Sequence, residues 1–158
     1  MRAAVLTVSD SCAAGTRTDE SGPYIRERLA ATGWEVVATA VVPDQRGAIA
    51  AMLREWADEL GVDVVLTTGG TGFSTRDVTP EATGDVVERR APGLAEALRA
   101  EGMKVTERAC LSRAEAGLRG RTLIVNFPGS LKAVRDGMTF LERLLPHAVQ
   151  MVAGGGHT

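Results

Sequence analysis

Residues 62–83 read VDVVLTTGGTGFSTRDVTPEAT, and the fold follows from how this stretch divides. VDVVLT (62–67) is a short apolar run rich in valine, which suits a strand buried on both faces. TGGTGFSTRDV follows as a polar, glycine-rich loop. Thr79-Pro80-Glu81 then opens a helix, with Thr79 as its cap and Pro80 at the first helical position, where a missing N–H costs nothing. Strand, glycine loop and helix form one half of a parallel α/β unit.

The same alternation extends in both directions. AAVLTV (3–8) and EVVATAVV (35–42) read as strands, and RTLIVN (121–126) as a fourth. Between them lie helices. Ser21 and Pro23 open one that carries Ile25 and Leu29 and stops at Gly33. Pro43-Asp44 opens the next, with Ile49, Met52, Leu53, Trp56 and Leu60 on one face. Pro92 starts a short helix with Leu94 and Leu98. Residues 129–145 carry Leu131, Val134, Met138, Leu141 and Leu145 at helical spacing, and Pro146 kinks or restarts that helix. Residues 102–120 read as irregular or hairpin-like and are the place for an antiparallel strand. Arg89-Arg90 reads as a solvated helix end. The pattern predicts an α/β fold of three layers: a mostly parallel sheet with helices on both faces. A single domain over residues 1–153 is expected, followed by a flexible tail at 154–158 (GGGHT).

Bulk properties agree. The chain has 158 residues, within the ~100–200 expected of one domain. Leu, Ile, Val and Phe number 37, about 23%, above the ~20% below which disorder is expected. The formal net charge of −2 disfavours an electrostatic grip on nucleic acid. The only cysteines, Cys12 and Cys110, form no CxxC motif and read as free thiols in a reducing compartment. The N-terminal apolar run is shorter than the ~7–15 residues of a signal segment, and no stretch approaches the ~20 apolar residues of a membrane span. A cytoplasmic location is the expectation.

Chemistry gathers where the strands end. In open parallel sheets, ligands bind outside the carboxyl ends of the strands. Ser9-Asp10, Asp44, Thr68 to Asp77 and Asn126 to Ser130 all follow strands, so a parallel sheet brings them to one rim. Gly69, Gly70 and Gly72 let the backbone approach a ligand, and successive N–H groups there form an anion nest beside the hydroxyls of Thr67, Thr68 and Thr71. A tight turn without a ligand fits the glycines as well. The loop is neither the dinucleotide GxGxxG nor a Walker GK[ST] loop. Asp44 reads as a helix cap or a functional carboxylate, and Asp77 as a turn residue or a second carboxylate. Together at one rim they suit Mg²⁺ bound with substrate phosphates, as in phosphoryl or nucleotidyl transfer. Pro128, Gly129 and Ser130 precede the last long helix, whose N-terminus suits an anion. Lys132 faces either a phosphate or solvent, and Ser112-Arg113 either a phosphate or the surface. His147 and His157 lack metal-ligand spacing.

TVSDS (7–11), DESGP (19–23), VPD (42–44), TTGGTG with RDVTPEAT (67–83), LSR (111–113) and IVNFPGS (124–130) together resemble the MoaB/Mog family of molybdenum-cofactor biosynthesis. The likeness spans nearly the whole chain, and Leu131 departs from it where many relatives carry Pro. The resemblance implies a molybdopterin-binding fold and a homo-oligomer, a trimer or alternatively a hexamer. It implies transfer of AMP from ATP to the terminal phosphate of molybdopterin with release of pyrophosphate, and with Mg²⁺. Asp44 and Asp77 match the family's two functional acids and would be both catalytic and metal-binding. Ser9, Asp10, Thr68, Gly69, Gly70, Thr71, Gly72, Ser112, Pro128, Gly129 and Ser130 match positions lining its substrate pocket. A molybdate-inserting protein is the implied partner. The alternative reading is a non-catalytic molybdopterin-binding module.

Overall fold

The computed structural model describes residues 1–155. Of the expected tail, Gly156, His157 and Thr158 lie outside the described residues. Six strands form one sheet: β1 (Arg2–Val8), β2 (Glu35–Val42), β3 (Val64–Thr68), β4 (Arg89–Arg90), β5 (Ala116–Arg119) and β6 (Thr122–Phe127). Their order is β2-β1-β3-β6-β5-β4. The first four in that row run parallel, while β5 pairs antiparallel with β6 and β4 antiparallel with β5. The sheet is therefore mostly parallel, and the antiparallel strand expected within residues 102–120 is β5.

Helices cover both faces. On one, Ile25 and Leu29 of α2 (Ser21–Ala31) and Val134, Met138, Leu141 and Leu145 of α6 (Leu131–Val152) pack on Ala3, Val5, Val64, Leu66, Leu123 and Val125. Leu94 and Leu98 of α5 (Pro92–Met103) join them. On the other, Ile49, Leu53 and Trp56 of α3 (Arg46–Asp58) and Ala82 and Val86 of α4 (Thr79–Val86) pack on Ala4, Leu6, Val65 and Ile124. Alternate strand residues thus feed opposite cores, as the period of two requires. Met52 and Trp56 are packing residues, and Cys12 and Cys110 are free.

Several local expectations are corrected. Ser9 caps a four-residue helix, α1 (Asp10–Ala13), by accepting from the Cys12 N–H at 3.2 Å. Ser21 is the first helical residue of α2 and not its cap; its hydroxyl donates to Gly129 O at 3.0 Å, while Asp19 accepts from the Gly22 N–H. Thr79 is likewise inside α4, and its hydroxyl donates to Gly69 O at 2.9 Å. Asp44 does not cap α3, whose capping position is Gln45. Arg89-Arg90 is not a helix end but the edge strand β4, where Arg90 pairs with Glu115. α6 does not restart at Pro146; it runs through it as one 22-residue helix. At Ser21 and Thr79 a distant carbonyl wins over the local backbone group that sequence patterns anticipate.

Candidate functional site

The chain leaves β1 toward α2 on one face of the sheet and leaves the neighbouring β3 toward α4 on the other, so a crevice opens between their carboxyl ends. The close approach is visible at Gly69. It has φ +99°, and a side chain there would meet Val8 O at 2.1 Å, so only glycine lets the β3 loop rest against the end of β1.

A cleft of about 610 Å³ opens at this rim. Gly70, Thr71, Gly72 and Asp77 form one wall, Pro128, Gly129 and Ser130 another, and Ser112 closes a third. Lys132 lines it from the first turn of α6, and Arg99, Arg108 and Asp136 add charge that the sequence patterns do not single out. Of the expected site residues, Ser9, Asp10, Asp44, Thr68 and Gly69 do not line this cleft. Thr68 is buried, and its hydroxyl donates to Pro128 O at 2.7 Å, tying the β3 and β6 loops together.

Ser9, Asp10 and Asp44 gather beside the same loop. The Asp10 N–H donates to Asp44 Oδ2 at 2.8 Å, and the Asp44 N–H donates to Asp10 Oδ1 at 2.9 Å. This reciprocal pair joins the ends of β1 and β2. Arg76 donates to Asp10 Oδ2 from Nε and Nη2, at 3.0 and 2.8 Å, so the β3 loop reaches across to it. The other carboxylate oxygen of Asp44, Oδ1, faces Gly70, where a Cβ would stand 3.1 Å from it. Asp77 Oδ2 faces Gly72, where a Cβ would stand 2.8 Å away, and it also accepts from the Ser74 N–H at 3.1 Å. The loop 70–72 is therefore common to the cleft and to both acids.

Burial, and then the charges of Asp10 and Asp77, push the Asp44 carboxyl above its ordinary range, against the hydrogen bond from the Asp10 backbone. Asp10 is the opposite: the hydrogen bond from Arg76 holds its carboxyl below the usual range. Among the described residues no three His, Cys, Asp or Glu side chains form a metal cage. A cation at Asp44 and Asp77 would take its remaining ligands from water and phosphate oxygens.

Behind the rim, Asn126 is a buried strut. Its Nδ2 donates to Thr67 Oγ1 at 2.9 Å and to Thr83 Oγ1 at 3.0 Å, and its Oδ1 accepts from the Glu115 N–H at 3.1 Å. It fixes β3, α4 and the start of β5 relative to β6. Arg113 turns away from the cleft. Its guanidinium donates to Gly72 O at 2.8 Å, to Asp77 O at 2.7 Å and to the Glu81 carboxylate. Burial opposes the Glu81 charge, but the Arg113 bond and nearby cations hold its carboxyl below the usual range. Sequence patterns offer Arg113 only as a phosphate ligand or a surface residue; its acceptors are 32 to 41 residues away in sequence and leave no local signal.

A family profile described as "probable molybdopterin binding domain" matches residues 4–147. The chain belongs to this family. It is 44% identical over 150 residues to the molybdenum cofactor synthesis protein cinnamon of Drosophila melanogaster, a match that covers 94% of this chain and 25% of that protein. It is 37% identical over 157 residues to a molybdopterin adenylyltransferase of Helicobacter pylori strain J99, covering 95% of this chain and 86% of that one. The crystal structure of the molybdopterin biosynthesis enzyme MoaB of Thermus thermophilus superposes with a TM-score of 0.91 at 48% identity, over 97% of this chain and 96% of that one. The molybdopterin-binding fold is therefore that of this chain. Several of the relatives it matches are longer: the chain spans about a quarter of the length of some and half of another. Among the described residues, no helix is long and apolar enough to cross a membrane.

Proposed function

We propose that this chain is a molybdopterin adenylyltransferase of molybdenum-cofactor biosynthesis, acting in the cytoplasm as a homo-oligomer, a trimer in the first instance. The observation that carries the reading is the convergence of Asp44 and Asp77 on the two sides of an amide-rich loop that also walls the cleft. Adenylyltransferases among the relatives supply the reaction class.

In this reading the cleft binds molybdopterin with its terminal phosphate toward the 70–72 amides and the 128–130 turn. An oxygen of that phosphate attacks the α-phosphorus of ATP. The bond from the α-phosphorus to the bridging oxygen breaks, and pyrophosphate leaves carrying the electron pair. Such transfers need mostly positioning and charge neutralisation. The amides of Gly70, Thr71 and Gly72 supply oriented donors. Lys132 and Arg108, on the cleft wall, supply positive charge. Asp44 and Asp77 would hold Mg²⁺, which when bound neutralises phosphate charge. Their fit to it is chemical: hard carboxylate oxygens, few in number, with Asp44 raised by burial first and by the charges of Asp10 and Asp77 after it, which a cation would offset.

A second reading, a pterin-binding module without catalysis, rests on the expectation that the cleft and the acids are separable. Nucleotide binding divides the two. Mg·ATP should raise the melting temperature of the wild type, and Asp44→Ala should lose that shift. Absence of any shift in the wild type would favour the silent module.

A further inference from the structure

The carbonyls of the glycine loop are all engaged. Gly69 O accepts from the Thr79 hydroxyl at 2.9 Å and Gly70 O from the Thr79 N–H at 3.1 Å. Thr71 O accepts from the Arg113 N–H at 2.8 Å, and Gly72 O from Arg113 Nε at 2.8 Å. The amides of Gly70, Thr71 and Gly72 meet no backbone acceptor among the described residues. A peptide unit is planar, so pinning the oxygen of one residue sets the direction of the next residue's N–H. Two donors on Thr79 set the Gly70 and Thr71 amides. The Arg113 N–H sets that of Gly72.

Arg113 does more than that. Its side chain joins Gly72 O, Asp77 O and the Glu81 carboxylate, which are the near limb of the loop, the far limb and the start of α4. A guanidinium presents these donors in one rigid plane, which a lysine ammonium cannot reproduce. Arg113 is itself held from behind: Arg99 Nη1 donates to Ser112 O at 3.2 Å and to Ala114 O at 2.8 Å, on either side of it. Arg113 does not line the cleft.

We propose that Arg113 is a positioning residue: its backbone N–H orients the Gly72 amide, and its guanidinium clamps the Gly72 and Asp77 carbonyls, holding the two limbs of the loop at the spacing needed to bind phosphate. Its consequence for catalysis rests on the adenylyl-transfer reading; its consequence for anion binding does not. The test uses the full chain with Mg²⁺ and pyrophosphate as probe, by titration calorimetry, on Arg113→Lys, Arg113→Gln and Glu81→Gln. Circular dichroism and thermal melts establish the temperature at which each is folded. Both Arg113 variants should weaken pyrophosphate binding at least tenfold, with lysine giving no rescue, and AMP transfer should fall in parallel. Glu81→Gln, which removes the one charged acceptor of the guanidinium, should weaken binding about threefold. A lysine variant with wild-type affinity would overturn the proposal. So would variants that only melt earlier, since lost folding lowers the active fraction but not the affinity of what remains. A wild type that binds no pyrophosphate would overturn it too. A wild type that binds pyrophosphate yet transfers no AMP would sink the catalytic reading and leave this one standing.

Discussion

Gly70→Ala is the substitution whose cost can be worked most closely. Gly70 has φ +70°, and an alanine in the left-handed region costs roughly 1 kcal/mol more than glycine. Its Cβ would also stand 2.3 Å from Thr79 Oγ1. Thr79 is fully buried, so its hydroxyl must rotate away and lose the bond to Gly69 O inside the protein. Leaving a buried polar group unpaired costs about 1–3 kcal/mol. The sum is ~2–4 kcal/mol, or a fall of about 5–15 °C in melting temperature for a chain of this size. Gly15 is the control: its φ is +76°, and a Cβ there meets nothing within 4 Å. Gly15→Ala should therefore lose only about 1 kcal/mol, from backbone strain alone. Parallel denaturant or thermal melts of the two variants isolate the contact cost. Equal destabilisation would refute the view that Thr79 braces this loop from beneath.

Three further outcomes are expected. Asn126→Leu keeps the number and branching of side-chain heavy atoms but strands the Thr67 and Thr83 hydroxyls and the Glu115 N–H. It should cost ~3–4 kcal/mol and about 10 °C in a thermal melt. Asp44→Asn should stabilise the ligand-free protein at pH 7. The folded state holds the Asp44 proton more tightly than the unfolded chain, so this group's contribution is present in acid and is lost as pH rises through its raised value. The gain should be small, ~1–2 °C given partial solvent screening, and should vanish below about pH 4 in melts run across pH, while the Mg·ATP-induced shift disappears. Chelation of divalent cations should bring AMP transfer to background, with recovery on adding Mg²⁺ in an initial-rate assay.

The parts of the fold carried by periodicity were open to reading. Valine runs at 3–8, 35–42 and 62–67 and the helical spacing from Leu131 to Leu145 are long-wavelength signals; burial enforces them in β1, β3 and α6, while the edge strand β2 is buried only at Val42. The rim followed from topology: once the strands are parallel, everything after a strand end is brought together. What escaped was decided at single atoms. A hydroxyl at a helix start has two choices, the local N–H or a distant carbonyl. Ser21 and Thr79 both take the distant one, at Gly129 and Gly69. α1 is only four residues long and carries no period. Arg113 is invisible for the same reason in stronger form, since its partners are brought to it only once the β3 loop and α4 are in place.

In the proposed reaction Asp44, Asp77 and the 70–72 loop serve the transfer of AMP to a pterin phosphate. The most direct measurement is a single-turnover reaction of the protein with molybdopterin, Mg²⁺ and ATP labelled at the α-phosphate. The predicted result is label on the pterin and one pyrophosphate released per label transferred, with Asp77→Asn slower by at least about a hundredfold, the scale of losing a positioned charge-stabilising group. Bound but unlabelled molybdopterin in the wild type, or full activity in Asp77→Asn, would contradict it.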